Sequence, residues 1–459
     1  MTEELPVLRF DRGSLLAEGF APGGDPRLPP LAVWDARVGA YRALGLHYRA
    51  LVRHLVHGGV AFRDAARAFG EVQPGRAPAM PYPHQRAALT AWSRGKRGMV
   101  ELPTGAGKTH VALLALAQVA RDALVLVPTL ELVTQWCGVI ERELGLVPGA
   151  IGGGSFELRP VTVCTYASAF RHAAAFGDRF GLVVFDECHH LGGEGYAGIG
   201  EELIAPYRLG LSATLPAEDG ARATLERLIG PLVYAQPIAA LSGRYLADYR
   251  VEVRYAELTP AERAAYRADR ETYLAFARRL GVALTGPRGW QQFVFGASRS
   301  AEGRAALAAY YRQKQLAFSA EAKFDLCAEV LEHHRGERVL IFTNDNATAF
   351  RVARRFLLPL ITHQTRVPER REILARFRDG RWPALVTSKV LNEGVDVPAA
   401  AVAVILSGNA SVREHVQRLG RILRKAEGKE AVLYELLTRD TAEEHTSRRR
   451  RQHDAYEGA

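Results

Sequence analysis

Cysteine is scarce and scattered. Cys137, Cys164, Cys188 and Cys327 are the 4 cysteines in 459 residues, and no Cys-x-x-Cys pair occurs. The sequence therefore suggests neither a zinc site nor a disulfide framework. The 14 histidines form no ligand spacing; His189 and His190 are adjacent, but in a string better explained by phosphate chemistry. No apolar run is long enough to span a bilayer, and the acidic start Met-Thr-Glu-Glu does not read as a signal peptide. A cytoplasmic location without a membrane partner is expected. No internal repeat, low-complexity segment or paired-acid nuclease pattern stands out.

Apolar residues are plentiful, at 48%, and the length suggests about three domains. The net charge of +10 leaves two readings open. One is a polyanionic partner bound through its phosphates. The other is a merely arginine-rich chain that binds nothing anionic.

Two strings carry the most chemistry. Glu101–Thr109 reads ELPTGAGKT and Asp186–His190 reads DECHH. Thr104, Gly105, Ala106 and Gly107 form a tight loop that can aim backbone N–H groups at phosphate oxygens. Lys108 can reach the β- and γ-phosphates, and the Thr109 hydroxyl can ligate Mg²⁺. The strict phosphate-loop pattern has glycine where this chain has Leu102. The context is nevertheless the required one, an apolar strand end at 98–102 before a helical run, His110–Val119. Asp186 follows the apolar run Leu182–Phe185 and suits the other side of the metal; Glu187 is then placed to polarise the attacking water. ATP and Mg²⁺ are the expected cofactors.

Further along, the pattern divides. In residues 1–75, Leu8–Asp11 and Leu31–Asp35 read as strands, and Tyr41–Val56 has helical periodicity. Pro74–Pro83 reads as a linker. From 76 to 240, strand candidates at 98–102, 123–127, 161–164, 182–185 and 208–211 alternate with helical stretches, which argues for a parallel sheet covered by helices. Residues 241–459 hold a second alternation, with strands at 338–342, 384–387, 401–406 and 431–436. Before it, 256–318 is helical and interleaves aromatic with basic residues. Two readings stay open there: a grip on a nucleic-acid strand by stacking and phosphate contact, or ordinary helices with aromatics in their core.

Several short strings complete the pattern. Gln85 precedes the phosphate loop, where its amide could read an adenine edge. Thr129 and Thr165 end strands. Ser212-Ala213-Thr214 is a small loop able to couple the ATP site to a nucleic-acid track, and Thr387 ends a strand of the second half. Asn392–Pro398 reads NEGVDVP, with Gly394 and Asp396 assigned to lobe closure and the ribose. If Val416–Arg424 is a helix, Gln417, Arg421 and Arg424 share one face. That face can meet the γ-phosphate, with Arg421 or Arg424 as an arginine finger.

This series resembles the superfamily-2 helicases, and more narrowly the XPB group of DNA repair helicases. LPTGAGKT, ALSGRYLADY at 240–249, RFDRGSLLAEG and VWDARVGAYRA are similar to strings of that group, so the resemblance spans nearly the whole chain. It implies an α/β fold: two RecA-like parallel-sheet domains, a small N-terminal α+β domain of the damage-recognition kind, and a helical thumb-like insertion at 256–318. It also implies ATP-dependent 3′→5′ movement on DNA, with single-stranded DNA and duplex junctions as partner, and a role in DNA repair. One departure stands out. Where the group has Arg-Glu-Asp, this chain has Ala217-Glu218-Asp219. The motif is tied to strand separation in the group, so the departure bears on unwinding and not on ATP hydrolysis. The rival readings are an RNA helicase, the motor subunit of a nuclease or phage-defence complex with a nuclease as partner, and a binding module that has lost catalysis.

Overall fold

The computed structural model describes residues 5–193, 195–216, 220–284, 286–388, 400–408 and 430–450. The chain forms two compact units, divided after Ala240.

The first unit opens with a five-stranded sheet. Its order is Val33–Asp35, Ala40–Leu44, Ser14–Glu18, Val7–Asp11, Arg63–Ala65, antiparallel except for the last pair. Leu8, Leu15, Leu51 and Leu55 form its core with the Tyr48–His57 helix. The tight turn after Asp11 places Arg12 at φ 43° and Gly13 at φ 86°. The helical pattern expected from Tyr41 is a strand as far as Leu44; the helix begins at Tyr48. Pairing on both sides overrides the periodicity, and Tyr41 is held in place because its hydroxyl accepts from Gly24 N and Asp25 N and donates to Ala21 O.

An eight-stranded sheet follows. Its order is Leu232–Ala235, Arg97–Glu101, Tyr207–Ser212, Leu182–Asp186, Ala123–Val127, Val161–Thr165, Gly149–Gly152, Ser155–Phe156. All pairs are parallel except the final hairpin. The strands Ala123–Val127 and Leu182–Asp186 are buried end to end, as strands covered on both faces must be. All five strands expected in this part are present within a residue or so; the two strands of the hairpin and Leu232–Ala235 were not expected.

The second unit has a six-stranded parallel sheet ordered Asp248–Ala256, Glu430–Thr438, Val402–Ile405, Val339–Thr343, Ala384–Ser388, Leu360–Ile361. The Asp248–Ala256 edge strand escaped the sequence reading because DYRVEVRYA alternates charged with apolar residues and stays half exposed. Three helices follow it: Pro260–Arg279, Gly286–Ser298 and Ala301–Phe318. The first starts at a capping box, Thr259 with Glu262, behind Pro260. Tyr273, Phe276, Phe293, Ala297 and Ala306 form their shared core. Arg312 pairs with Asp269 at 2.6 Å and Arg279 with Glu302 at 2.5 Å. Most of the interleaved aromatics are thus packing residues and not an open stacking platform; Tyr311 is an exposed exception. Among the described residues no helix is long and apolar enough to cross a membrane.

Candidate nucleotide site

The phosphate loop and the acidic box lie at the carboxyl ends of two parallel strands of the same sheet, one strand apart. Arg97–Glu101 feeds the loop, Leu182–Asp186 feeds the box, and Tyr207–Ser212 lies between them. This is where open α/β sheets bind ligands. Gly105 and Gly107 take φ of 89° and 85°, which a residue with a Cβ adopts only under strain. A Cβ on Gly107 would also fall 2.1 Å from Gln85 Nε2. Gly107 opens the helix Lys108–Val119, so the helix N-terminus faces the loop. Thr104 lies in that loop, and Thr109 is half-buried in the first helical turn. Leu102, the departure from the strict pattern, is fully buried, and its carbonyl accepts from Lys108 Nζ at 3.2 Å. The leucine side chain fills core at a place where the loop needs only a backbone oxygen.

Gln85 is buried against the same loop. Its Nε2 donates to Ala106 O at 3.1 Å, and its Oε1 accepts from Tyr82 N at 2.9 Å. His84 Nε2 lies 2.9 Å from Ala106 O. Gln85 is therefore tied to the backbone of the phosphate loop.

Asp186 is almost wholly buried. Oδ2 accepts from Trp136 Nε1 at 2.8 Å and Oδ1 from Glu187 N at 3.1 Å. Burial, then the charge of Glu187, pushes its carboxyl up to about 6, while the Trp136 bond and Lys108 oppose the rise. Glu187 stands at φ 47°, a left-handed position rare for a residue with a Cβ. Its Oε2 is buried with no hydrogen-bond partner and lies 3.6 Å from His189 Nδ1. A buried carboxylate oxygen left open beside a raised carboxyl suits a site that takes a cation and a water. Asp186 and the Thr109 hydroxyl supply only oxygen donors, which fits Mg²⁺ completed by phosphates and water. The described residues contain no cluster of three or more His, Cys, Asp or Glu that could hold a metal.

A relay runs from the acidic box to the Ser212 loop. His189 Nδ1 lies 3.2 Å from Ser212 Oγ, Ser212 Oγ donates to Thr214 O at 2.8 Å, and Thr214 N donates back at 3.2 Å. Ala213 is buried between them, and Leu215 N donates to Glu101 Oε1 at 3.0 Å. Sequence reasoning missed the parts played by Trp136, His189 and Glu101. The pairing of His189 with Ser212 had a signal in the DECHH string; Trp136 had none, since its helical spacing reads as ordinary core.

Thr129 and Thr165 are helix N-caps. Thr129 Oγ1 accepts from Leu132 N, and Thr165 Oγ1 accepts from Ser168 N while donating to Ser168 Oγ. Thr387 is buried in its strand, its hydroxyl donating to Ser388 O. Gly394, Asp396, Gln417, Arg421, Arg424 and Ala217 lie outside the described residues.

Three family models match the chain in order. The Xeroderma pigmentosum group B helicase damage recognition domain matches residues 8–66, the type III restriction enzyme res subunit 79–217, and the ERCC3/RAD25/XPB C-terminal helicase 305–458. The DNA 3′-5′ translocase XPB2 of Sulfurisphaera tokodaii is 37% identical over 455 residues, covering 97% of this chain and 99% of that protein. The chain belongs to the XPB family of helicases. A second XPB relative, the DNA 3′-5′ helicase XPB of Mycobacterium tuberculosis, is 32% identical over 80% of this chain, which spans 62% of that longer protein. Among solved structures, the Pyrococcus furiosus Hef helicase domain overlays with a TM-score of 0.55 at 18% identity, covering 80% of this chain and 97% of that one. That likeness supports the RecA-like helicase fold of this XPB chain and nothing finer.

Proposed function

We propose that this chain is an ATP-driven DNA motor of the XPB type, moving 3′→5′ on DNA in repair. The observation that carries the reading is the pairing of a phosphate loop with a deeply buried Asp186, beside a Glu187 whose Oε2 has no hydrogen-bond partner. In this reading Lys108 and the loop N–H groups hold the β- and γ-phosphates, and Thr109 and Asp186 hold Mg²⁺. The ion, when bound, neutralises charge on the phosphate oxygens. Glu187 orients the attacking water, and Gln85 links the adenine side to the loop that it already grips. Gln417, Arg421 and Arg424 complete the site from the second domain, with Gly394 and Asp396 coupling closure. His189 and the Ser212–Thr214 loop connect hydrolysis to the DNA track, which Thr129, Thr165 and Thr387 border.

The proposed division is a damage-recognition-like domain at 1–75, a first helicase domain at 76–240 and a second at 241–459, in a cytoplasmic protein. Ala217 in place of the family arginine turns the proposal toward movement along DNA more than strand separation. The match of residues 79–217 to a restriction-enzyme subunit also fits a motor that delivers a nuclease partner. Co-purification with a nuclease would favour that second role. ATP hydrolysis with and without DNA tests the main proposal: DNA should raise the rate, and Lys108→Ala should abolish it. Substantial DNA-stimulated hydrolysis in Lys108→Ala would overturn the assignment.

A further inference from the structure

The second unit contains a half-open cavity that the ATP chemistry does not use. It has a volume of about 220 Å³ and lies between the helices Pro260–Arg279, Ala301–Phe318 and Ala442–Arg450. Tyr266, Tyr273, Tyr310 and Phe318 line it with aromatic carbon, and Gln313 lines it with an amide. Gln313 is 3% exposed, and its Nε2 has no hydrogen-bond partner. A buried N–H donor left without a partner costs about 1–3 kcal/mol, so an acceptor that enters the cavity, water or a ligand atom, stabilises it. The volume is below the roughly 300 Å³ of pockets for drug-sized ligands, and suits a single ring system.

A second cleft, of about 490 Å³, shares Tyr266 and Ala442 with the first. Arg263, Arg267, Arg270 and Arg439 line it. Arg263 faces Glu257 and Asp440, and Arg439 faces Glu257. Arg267 and Arg270 have no carboxylate within ion-pair distance among the described residues, and Arg270 is close enough to Tyr266 to interact with its hydroxyl. An aromatic chamber bordered by the Gln313 amide and by Lys314, Glu443 and Thr446, beside a cleft where four arginines outnumber Asp440 and Glu444, is complementary to a nucleotide unit, ring on one side and phosphate on the other.

We propose that the tyrosine-lined cavity receives an unpaired base of the DNA strand, with the adjoining phosphate held by Arg267 and Arg270. The inference rests on the DNA-motor reading and adds a base-holding site outside the ATP chemistry. Stacking on a tyrosine face is sequence-tolerant, and the Gln313 amide can donate to a ring nitrogen or carbonyl of any base.

The test uses the full chain and two single-stranded oligonucleotides of equal length, one with bases and one of base-free deoxyribose phosphates. The wild type should prefer the first by about tenfold, the worth of one stacked and hydrogen-bonded base. Gln313→Leu should lose most of that preference while binding the base-free strand like the wild type. The exposed pair Arg267→Gln/Arg270→Gln should weaken both strands and make the salt dependence of binding shallower by up to about two in log–log slope. Equal preference in wild type and Gln313→Leu, with normal DNA stimulation of hydrolysis in both, overturns the base site and leaves the motor intact. No binding of either strand by the wild type overturns the motor reading itself. Saturation of the cavity by free deoxynucleoside monophosphate at micromolar concentration, without competition against the oligonucleotide, overturns the assignment to DNA.

Discussion

Replacing Asp186 by asparagine should stabilise the metal-free protein while destroying its activity. The carboxyl is buried and moved from the ordinary 3.8 up to about 6, first by burial and then by Glu187. Kept ionised at pH 8, such a group costs about 3 kcal/mol of folding free energy. Asparagine removes the charge but also weakens the bond from Trp136 Nε1, for roughly 1 kcal/mol. The net gain is about 2 kcal/mol, or roughly 4–8 °C in melting temperature for a domain of this size. The sign has a pH signature. A carboxyl with a raised pKa favours the folded state at low pH and loses that contribution as pH rises through about 6. The advantage of Asp186→Asn should therefore be full at pH 8 and shrink below pH 6. Thermal melts in EDTA at pH 8 and 5.5 measure it. A variant that melts at or below the wild type at pH 8 refutes the reasoning, because it would mean that the site bears the charge without strain.

What could be read from the sequence divides along physical lines. The buried parallel strands were legible because continuous apolar runs such as Ala123–Val127 have few other uses. The edge strand Asp248–Ala256 was not, since half-exposed alternation with charge reads as surface. Tyr41 was misread as helical because period counts do not see cross-strand partners. In the site, the strand-end places of the phosphate loop and of Asp186 were legible from the apolar runs that precede them. Trp136 was not, because only the fold brings it 50 residues along the chain to Asp186. The aromatic–basic interleaving at 256–318 could not by itself separate an exposed platform from a core; burial of Tyr273 and Phe276 does so.

Two further outcomes are expected. Arg424→Ala should leave ATP binding within a few-fold of wild type but reduce turnover by about 10³ or more, as arginine fingers do; near-normal turnover in single-turnover kinetics would remove the finger role. Arg208, fully buried, donates to the carbonyls of Gly200, Leu203, Ala205 and Leu228, so Arg208→Met should destabilise the first unit by about 3–5 kcal/mol in chemical denaturation. An unchanged midpoint would show that those carbonyls find other donors.

The central claim is directional movement on DNA driven by the Lys108–Asp186 site. Displacement of streptavidin from single-stranded DNA biotinylated at one end or the other measures it most directly. The account predicts ATP-dependent release from the 5′ end, little from the 3′ end, and none from either with Lys108→Ala. Hydrolysis stimulated by DNA without preferential 5′ release, or release by Lys108→Ala, would contradict it.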